Sequence, residues 1–175
     1  RNIGTRLWLA DYYSTNDKGA VMEFEDLAEQ CCDGGHGIKR LGVLRADVDN
    51  LGAAFIGGFI RYGKEEPEKY ATLSRYADLS RDLGMFFKLA VSKLCRGELN
   101  GFDNINQQQF SLYGLQKPVQ RKVHVVYSGG DDMFIVGAWD ELIELAVDIR
   151  RAFTRFTNGK LSFSAGLAMF SHGYR

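Results

Sequence analysis

Apolar residues recur along this chain in two rhythms. Short runs at 39–47, 122–128 and 132–137 are dense in β-branched and aromatic residues, and Leu161 to Phe170 sets large apolar residues at odd positions and small ones at most even positions. Each run predicts a strand, the last with one face packed on helices. Two longer stretches follow the helical period instead. Glu68 to Arg96 carries Leu73, Tyr76, Ala77, Leu83, Phe87, Ala90, Val91 and Leu94 in phase, and Trp139 to Phe156 carries Leu142, Ile143, Ala146, Ile149, Phe153 and Phe156 on one face. The second has acids at its start, arginines near its end, and Asn158-Gly159 as a stop. Weaker signals predict a strand over 5–13, a short helix from Phe24 to Cys31, a loop at 33–37, and a strand-to-helix turn at Asn50 whose helix weakens at Gly57-Gly58 and ends before Pro67. Residues 97–120 show no period and predict a surface loop, with room for a short hairpin. Gly129-Gly130 between two strands predicts a tight hairpin, since glycine reaches positive φ without steric cost.

In order, these elements give the split β-α-β arrangement of a ferredoxin-like palm: an α+β fold with an antiparallel sheet and helices on one face. With 175 residues, 45% hydrophobic and 25% charged, the chain can bury one substantial core. Its 22 basic and 22 acidic residues balance, which excludes a strongly basic nucleic-acid grip by this segment alone. Three cysteines, two of them adjacent, make a poor disulfide framework, and with no signal segment or long apolar span a cytoplasmic, membrane-free location is expected. The chain opens at Arg1 without an initiator methionine, so it reads as a fragment of a larger multidomain protein. The expected division is a lead-in over 1–38 and a palm over 39–175, truncated at its C-terminal end.

Two acidic stations each close an apolar strand: Arg45 Ala46 Asp47 Val48 Asp49 Asn50 Leu51 Gly52, and Ser128 Gly129 Gly130 Asp131 Asp132. Adjacent strands would bring the pairs together. Four carboxylates at close range repel one another unless a divalent cation intervenes, and hard oxygen donors suit magnesium or manganese. The plainer readings are an N-cap role for Asp47 or Asp49 and ordinary turn chemistry for Asp131 and Asp132. The coincidence of two stations favours metal. Arg75 and Arg81 fit either a phosphate contact or a solvated helix face, and surface arginine is the commoner case. Cys31, Cys32, His36 and Cys95 lack paired zinc-ligand spacing, and His124 inside a strand reads as a packed or edge residue.

Several stretches together resemble the polymerase-cyclase large subunit of type III CRISPR interference complexes, nearest to the III-A branch. They are Gly4 Thr5 Arg6 Leu7 Trp8; Leu41 through Gly52; Thr72 Leu73 Ser74 Arg75 with Leu79 Ser80 Arg81; and Val126 through Asp132 followed by Val136 Gly137 Ala138 Trp139 Asp140. Gly-Gly-Asp-Asp alone is a weak match, whereas the strand-turn-strand context and the upstream aspartate make it strong. The resemblance implies the palm of that subunit that carries this motif, related to diguanylate and class III nucleotidyl cyclases. It implies an enzyme, a cyclic oligoadenylate synthase, which uses two magnesium or manganese ions and ATP as substrate. Its implied partners are the other subunits of the complex, guide and target RNA held through them, and the second palm of the same subunit.

Residue by residue, the resemblance makes Asp47 and Asp131 the carboxylates that hold both ions, with the Val48 carbonyl as a further ligand and Asp132 as a second acid near the attacking hydroxyl. Asn50, Leu51 and Gly52 match a turn whose amides face the triphosphate, and Asp49 belongs to the same ATP-binding stretch. Gly129 and Gly130 allow close approach of the nucleotide, Ser128 offers an adenine or ribose contact, and Arg81 a phosphate contact. The family's nuclease domain, first palm and downstream helical domain are not in this sequence, nor is the lysine beyond the last strand that related cyclases place on the triphosphate. Another GGDEF-like nucleotidyl cyclase and a non-catalytic nucleotide- or RNA-binding palm are the competing classes. Met133-Phe134 after the two aspartates departs from the diguanylate cyclase form.

Overall fold

The computed structural model describes residues 10–31, 38–98, 109–114 and 120–171. Four strands, β1 (Arg40–Val48), β2 (Val123–Gly129), β3 (Asp132–Ala138) and β4 (Phe163–Ser171), form one antiparallel sheet in the order β2-β3-β1-β4. Between β1 and β2 run α2 (Leu51–Gly57), α3 (Leu73–Met85), a π-helical turn (Phe86–Ala90) and α4 (Val91–Cys95), while α5 (Trp139–Phe156) links β3 to β4 and α1 (Phe24–Glu29) precedes the sheet. This is the ferredoxin-like palm that the alternating periods predict.

The pleat of β1 divides the molecule. Gly42, Leu44, Ala46 and Val48 are buried, whereas Arg45 and Asp47 are exposed. Leu44 and Ala46 lie opposite Ile135 and Met133 and share one core with Leu142, Leu145, Ile149 and Phe153 of α5 and with Leu83, Phe86, Phe87, Val91 and Leu94. Each such side chain contributes about 1.5–3 kcal/mol when fully buried. Phe86, Phe87, Phe153 and Phe163 meet at centroid distances of 5.2 to 5.7 Å. Their mostly tilted or edge-on contacts suit the ring quadrupoles.

The long helix differs from its prediction at both start and middle. It begins at Leu73, where the Thr72 hydroxyl accepts from the Arg75 N–H at 3.5 Å, and residues 67–70 form turns. At Phe86 it widens into the π turn, whose carbonyls draw in hydroxyls: Ser128 Oγ donates to Phe87 O at 2.7 Å and Ser92 Oγ to Lys88 O at 3.4 Å.

The loop predicted at 97–120 is described only in part, because residues 99–108 and 115–119 lie outside the described residues. Residues 109–114 lie at the surface, with Leu112 and Tyr113 exposed, and are stitched to α5. Phe110 N–H donates to Asp148 Oδ1 at 2.9 Å and Leu112 N–H to Glu144 Oε1 at 2.5 Å. The fully buried Arg121 holds this arrangement together, its guanidinium reaching Glu144, Glu141 at 3.1 Å, Asp148 at 2.8 Å and Phe110 O at 2.7 Å. Burial alone would lower its pKa, but Glu141, Asp148 and Glu144 outweigh that and raise it.

The opposite sheet face is partly covered as well, by the lead-in. Leu27 and Ala28 of α1 are buried outside the main core, α1 packs on β1 and β3, and Phe24 lies 6.0 Å from the His124 ring. His124 is packed as expected: Nδ1 accepts from Ser14 N–H at 3.2 Å and Nε2 bonds Met22 O at 2.8 Å. Residues 5–9 of the strand predicted at 5–13 lie outside the described residues. Its tail makes one antiparallel bridge, Tyr13 to His124, flanked by Val125 N–H to Tyr12 O at 2.9 Å, which covers the outer edge of β2. The 33–37 loop, with His36 and Cys32, also lies outside the described residues. Cys31 Sγ donates to Arg40 O at 2.9 Å, and Cys95 is buried.

β4 packs on helices over its first half only. Phe163 is buried against Phe153 and Leu167 is half-buried, but Met169, next on that face, is exposed, as is Phe170 on the opposite face. No described helix is long and apolar enough to cross a membrane.

Candidate functional site

β1 and β3 run antiparallel in a register that sets Asp47 opposite Asp132, on the face turned away from α3, α4 and α5. The β2-β3 hairpin needs only Gly130 and Asp131 as its loop. Gly130 sits at φ +68°, the backbone that a leading glycine supplies in a two-residue turn. Val48 N–H donates to Asp131 O at 3.0 Å, so the tip is fastened to the end of β1. The cross-strand partner of Asp47 is therefore Asp132, with Asp131 one residue further on at the tip. Asp131 and Asp132 are half-buried and Asp47 is exposed.

Like charges directly opposite one another destabilise a strand pair. Among the described residues, no lysine or arginine forms a salt bridge with Asp47, Asp131 or Asp132. Carboxylates and backbone carbonyls, without thiolate or imidazole, are the donor types that suit a hard divalent cation, but these three acids are not arranged as a ready ligand cluster.

Asp49 does not join that set, which corrects the expectation of four converging carboxylates. Its Oδ1 accepts from Ser164 Oγ at 2.6 Å, its Oδ2 from Ser162 Oγ at 2.7 Å, and its N–H donates to Ser162 O at 2.8 Å. The bond from Ser164, then that from Ser162, holds its carboxyl below the usual range. Among the described residues, no group of three or more His, Cys, Asp or Glu side chains is arranged to hold a metal ion. Nor does Asp49 cap α2: the N-cap is Asn50, in the left-handed region at φ 52°, and its side chain makes no capping bond.

The first bond of α2 runs from Ala54 N–H to Asn50 O at 3.1 Å, which leaves the N–H groups of Leu51 and Gly52 ahead of the helical ladder. A Cβ at Gly52 would meet nothing within 4 Å. Beside this turn, on the helix side, opens a cleft of about 750 Å³ lined by Asp49, Asn50, Phe59, Leu79, Asp82 and Lys160 among others. That volume suits a small organic ligand. Lys160, the basic residue of the cleft, escaped the sequence reading because it follows the helix stop and belongs to no motif.

Two expected contacts point elsewhere. Ser128 is buried and its hydroxyl is committed to Phe87 O on the π turn, so it anchors the hairpin to the helix layer rather than facing an adenine or ribose. Arg81 is paired on the surface with Asp78 at 3.1 Å and Asp82 at 3.3 Å, the solvated-face arrangement. Gly129 lies in β2 opposite Asp132, and the side chain of Lys88 passes within 3.4 Å of where its Cβ would stand. Tyr127, which the sequence reading passed over, donates its hydroxyl to Gly129 O at 3.1 Å. A hydrogen bond with Asp132, then partial burial and the charges of Asp132 and Asp131, raises its pKa.

The family model for the second palm domain of Cas10/Cmr2 matches residues 40–175. The chain is 42% identical over 173 residues to a Mycobacterium tuberculosis protein and 39% identical over 179 residues to one from Enterococcus italicus. Each is named CRISPR system single-strand-specific deoxyribonuclease Cas10/Csm1, subtype III-A. These matches take in 98% and 99% of the chain but 18% and 19% of the relatives, so the chain spans about a fifth of their length. A crystal structure of a Csm1-Csm4 subcomplex of the type III-A interference complex superposes with a TM-score of 0.74 at 38% identity, covering 94% of this chain and 20% of that one. Further Csm1-Csm4 cassettes, 37–38% identical, are complexes with one ATP, with pppApApA and with cA4.

Proposed function

The chain belongs to the Cas10/Cmr2 second-palm family, and from that membership we propose that it joins ATP molecules into cyclic oligoadenylates within a type III CRISPR complex. The observation that carries this reading is the uncompensated pair Asp47 and Asp132, face to face across β1 and β3 with Asp131 at the tip beside them. Support comes from the related Csm1-Csm4 cassettes, whose crystal structures hold ATP, a linear triadenylate and a cyclic tetra-adenylate.

In the proposed reaction, the 2′ or 3′ hydroxyl of one nucleotide attacks the α-phosphorus of another. A phosphodiester bond forms, the α–β anhydride breaks, its electron pair leaves with pyrophosphate, and the hydroxyl proton passes to a neighbouring carboxylate or water. Two magnesium or manganese ions, when bound, lower the pKa of the attacking hydroxyl and stabilise the leaving oxygens. Asp47 and Asp131, with the Val48 carbonyl, would hold them. Asp132 stands near the attacking hydroxyl. The amides of Asn50, Leu51 and Gly52 receive the triphosphate, and the missing side chain of Gly130 admits it to the hairpin, whereas the space beside Gly129 is taken by the side chain of Lys88. Asp49 contributes indirectly, by tying the end of β1 to Ser162 and Ser164 and so fixing the turn. The adjoining cleft takes the donor nucleoside, with Lys160 at its wall. Alignment and charge stabilisation supply most of the acceleration in such a transfer.

The even charge of the chain leaves guide and target RNA to be held by the rest of the protein and by other Csm subunits, with Csm4 the first expected partner. The first palm of the same subunit would face this one. The experiment is to offer all four nucleoside triphosphates to the full-length protein in its assembled complex and analyse products by mass spectrometry, beside the Asp131→Ala/Asp132→Ala variant. Cyclic oligoadenylate from the wild type alone is the expected result. A preference for GTP would favour the other GGDEF-like cyclases, and product from the double variant would place the active site elsewhere.

A further inference from the structure

Charge is spread unevenly along the chain. Residues 10–31 carry six acids (Asp11, Asp17, Glu23, Glu25, Asp26 and Glu29) against one base, Lys18, although the whole chain has 22 of each. The structure answers half of these acids. Asp11 pairs with Arg96 at 3.7 Å, Glu29 with Lys39 at 3.9 Å, and Asp26 accepts from Glu23 N–H at 3.1 Å, as in a capping box. Asp17, Glu23 and Glu25 form no salt bridge among the described residues.

Glu23 and Glu25 stand on the wall of a groove of about 690 Å³ where the lead-in meets β2. The rest of the wall is largely apolar, and Tyr13, Val21, Phe24 and Val126 are each more than half exposed. The buried ring of His124 lies beneath them, 5.6 Å from the Tyr13 ring and 6.0 Å from that of Phe24. Ser14 N–H and Met22 O hold both of its nitrogens, so this floor is fixed, and an imidazole that accepts at Nδ1 carries no charge to repel a cation. Val126 belongs to the groove because the β2–β3 register slips between Val125 and Tyr127. A bulge of this kind leaves one residue unpaired and re-aims its side chain.

Single exposed apolar side chains are ordinary, but four around one groove mark an interaction surface. Aromatic faces attract cations, and unpaired carboxylates beside them pull in the same direction. The same glutamates repel phosphate, which argues against RNA or a nucleotide here. Acids in the first turn also suit the α1 dipole, but that role does not require an aromatic groove beside them. Protein interfaces, by contrast, concentrate aromatics at their centre and favour arginine opposite them. We propose that this groove docks a lysine- or arginine-bearing segment of another protein subunit, its cation over the Tyr13 and Phe24 rings and against Glu23 and Glu25. With β2 and β3 between the groove and Asp47, this surface works independently of nucleotidyl transfer.

The test uses the full-length protein in its assembled complex. With the photocrosslinker p-benzoylphenylalanine in place of Val21, irradiation should join the groove to a segment of another subunit, and mass spectrometry should find lysine or arginine in that segment. Phe24→Ala and Glu25→Lys should each raise the dissociation constant for that subunit about 5- to 30-fold, the range for truncating a central interface contact. Changing the cross-linked lysine or arginine of the partner to glutamate should restore binding to Glu25→Lys, a rescue that a merely structural Glu25 would not give. Should Phe24→Ala unfold α1, the Glu25→Lys variant and its rescue decide alone. A cross-link only to the rest of the same polypeptide, a cross-linked segment without a basic residue, or no cross-link at all would overturn the proposal. So would an unchanged affinity in Glu25→Lys.

Discussion

The molecule handles negative charge in opposite ways at its two ends. Against α5, Glu141, Glu144 and Asp148 converge on one buried arginine, and loop amides supply the remaining donors. Burial raises the pKa of Glu141 and Asp148 even so. At the hairpin, Asp47, Asp131 and Asp132 stand at the surface with no salt bridge from any described residue. The lesson is that acid content alone does not locate chemistry. A carboxylate cluster already answered by the protein holds a fold together, and one left unanswered is where the proposed function places its ligand.

Substitutions at the two ends should therefore fail in different ways. If the proposed function holds, replacing Asp131 and Asp132 with alanine should remove transition-state stabilisation of several kcal/mol. At about 1.36 kcal/mol per tenfold, oligoadenylate synthesis should fall by roughly a thousandfold or more. The melting temperature should hold or rise slightly, because like-charge repulsion is relieved. A matching collapse of stability, seen by calorimetry, would erase the contrast. Arg121→Met should do the reverse. Stranding three acids in the interior costs about 3–5 kcal/mol, read by denaturant unfolding, and any loss of activity should track the unfolded fraction.

A glycine pair sharpens the same division. A Cβ at Gly137 would lie 2.5 Å from Lys122 O and 2.7 Å from Val123 Cα, so Gly137→Ala should cost about 1–3 kcal/mol of stability. Gly52→Ala meets open space and should leave unfolding unchanged while weakening ATP binding, measured by equilibrium titration. The smallest expected effect is at Asp49. Because its folded pKa lies below the ordinary value, the serine bonds contribute stability above the usual carboxylate range and lose it as pH falls through the lowered pKa. Ser164→Ala should move the Asp49 titration back towards the usual value, as followed by carboxylate NMR. An unmoved titration would show that Ser164 is not its principal partner.

What could be read from sequence was whatever is written locally. The bounds of α5 were legible because its period, its acid-rich start and its Asn158-Gly159 stop agree, and Asn158 and Gly159 do adopt positive φ. The two acidic stations were legible because each closes a strand. Illegible features depend on partners far along the chain. Arg121 finds its acids 20 to 27 positions away, and Asp49 finds its serines 113 and 115 positions away. No local pattern announces either. Ser128 misled for the same reason: its place in the motif is visible, but the widened turn that takes its hydroxyl is not. The late start at Thr72 shows an available capping side chain overriding an apolar phase that drifts in from Glu68.

The π turn at Phe86–Ala90 carries a consequence for how this segment can change length. A π turn is in effect one residue inserted into an α-helix, and each helical residue rotates the chain by about 100°. Deleting one residue there would yield a smoother, intrinsically better helix, yet it would turn Val91, Leu94 and Cys95 out of the core relative to Leu79 and Leu83 and withdraw the carbonyl that Ser128 holds. The hairpin that carries Asp131 and Asp132 would lose its anchor through an event more than 35 residues upstream (Ser128 and Phe87 are 41 apart). Loss of a single residue between 86 and 90 should therefore be rare among chains of this kind.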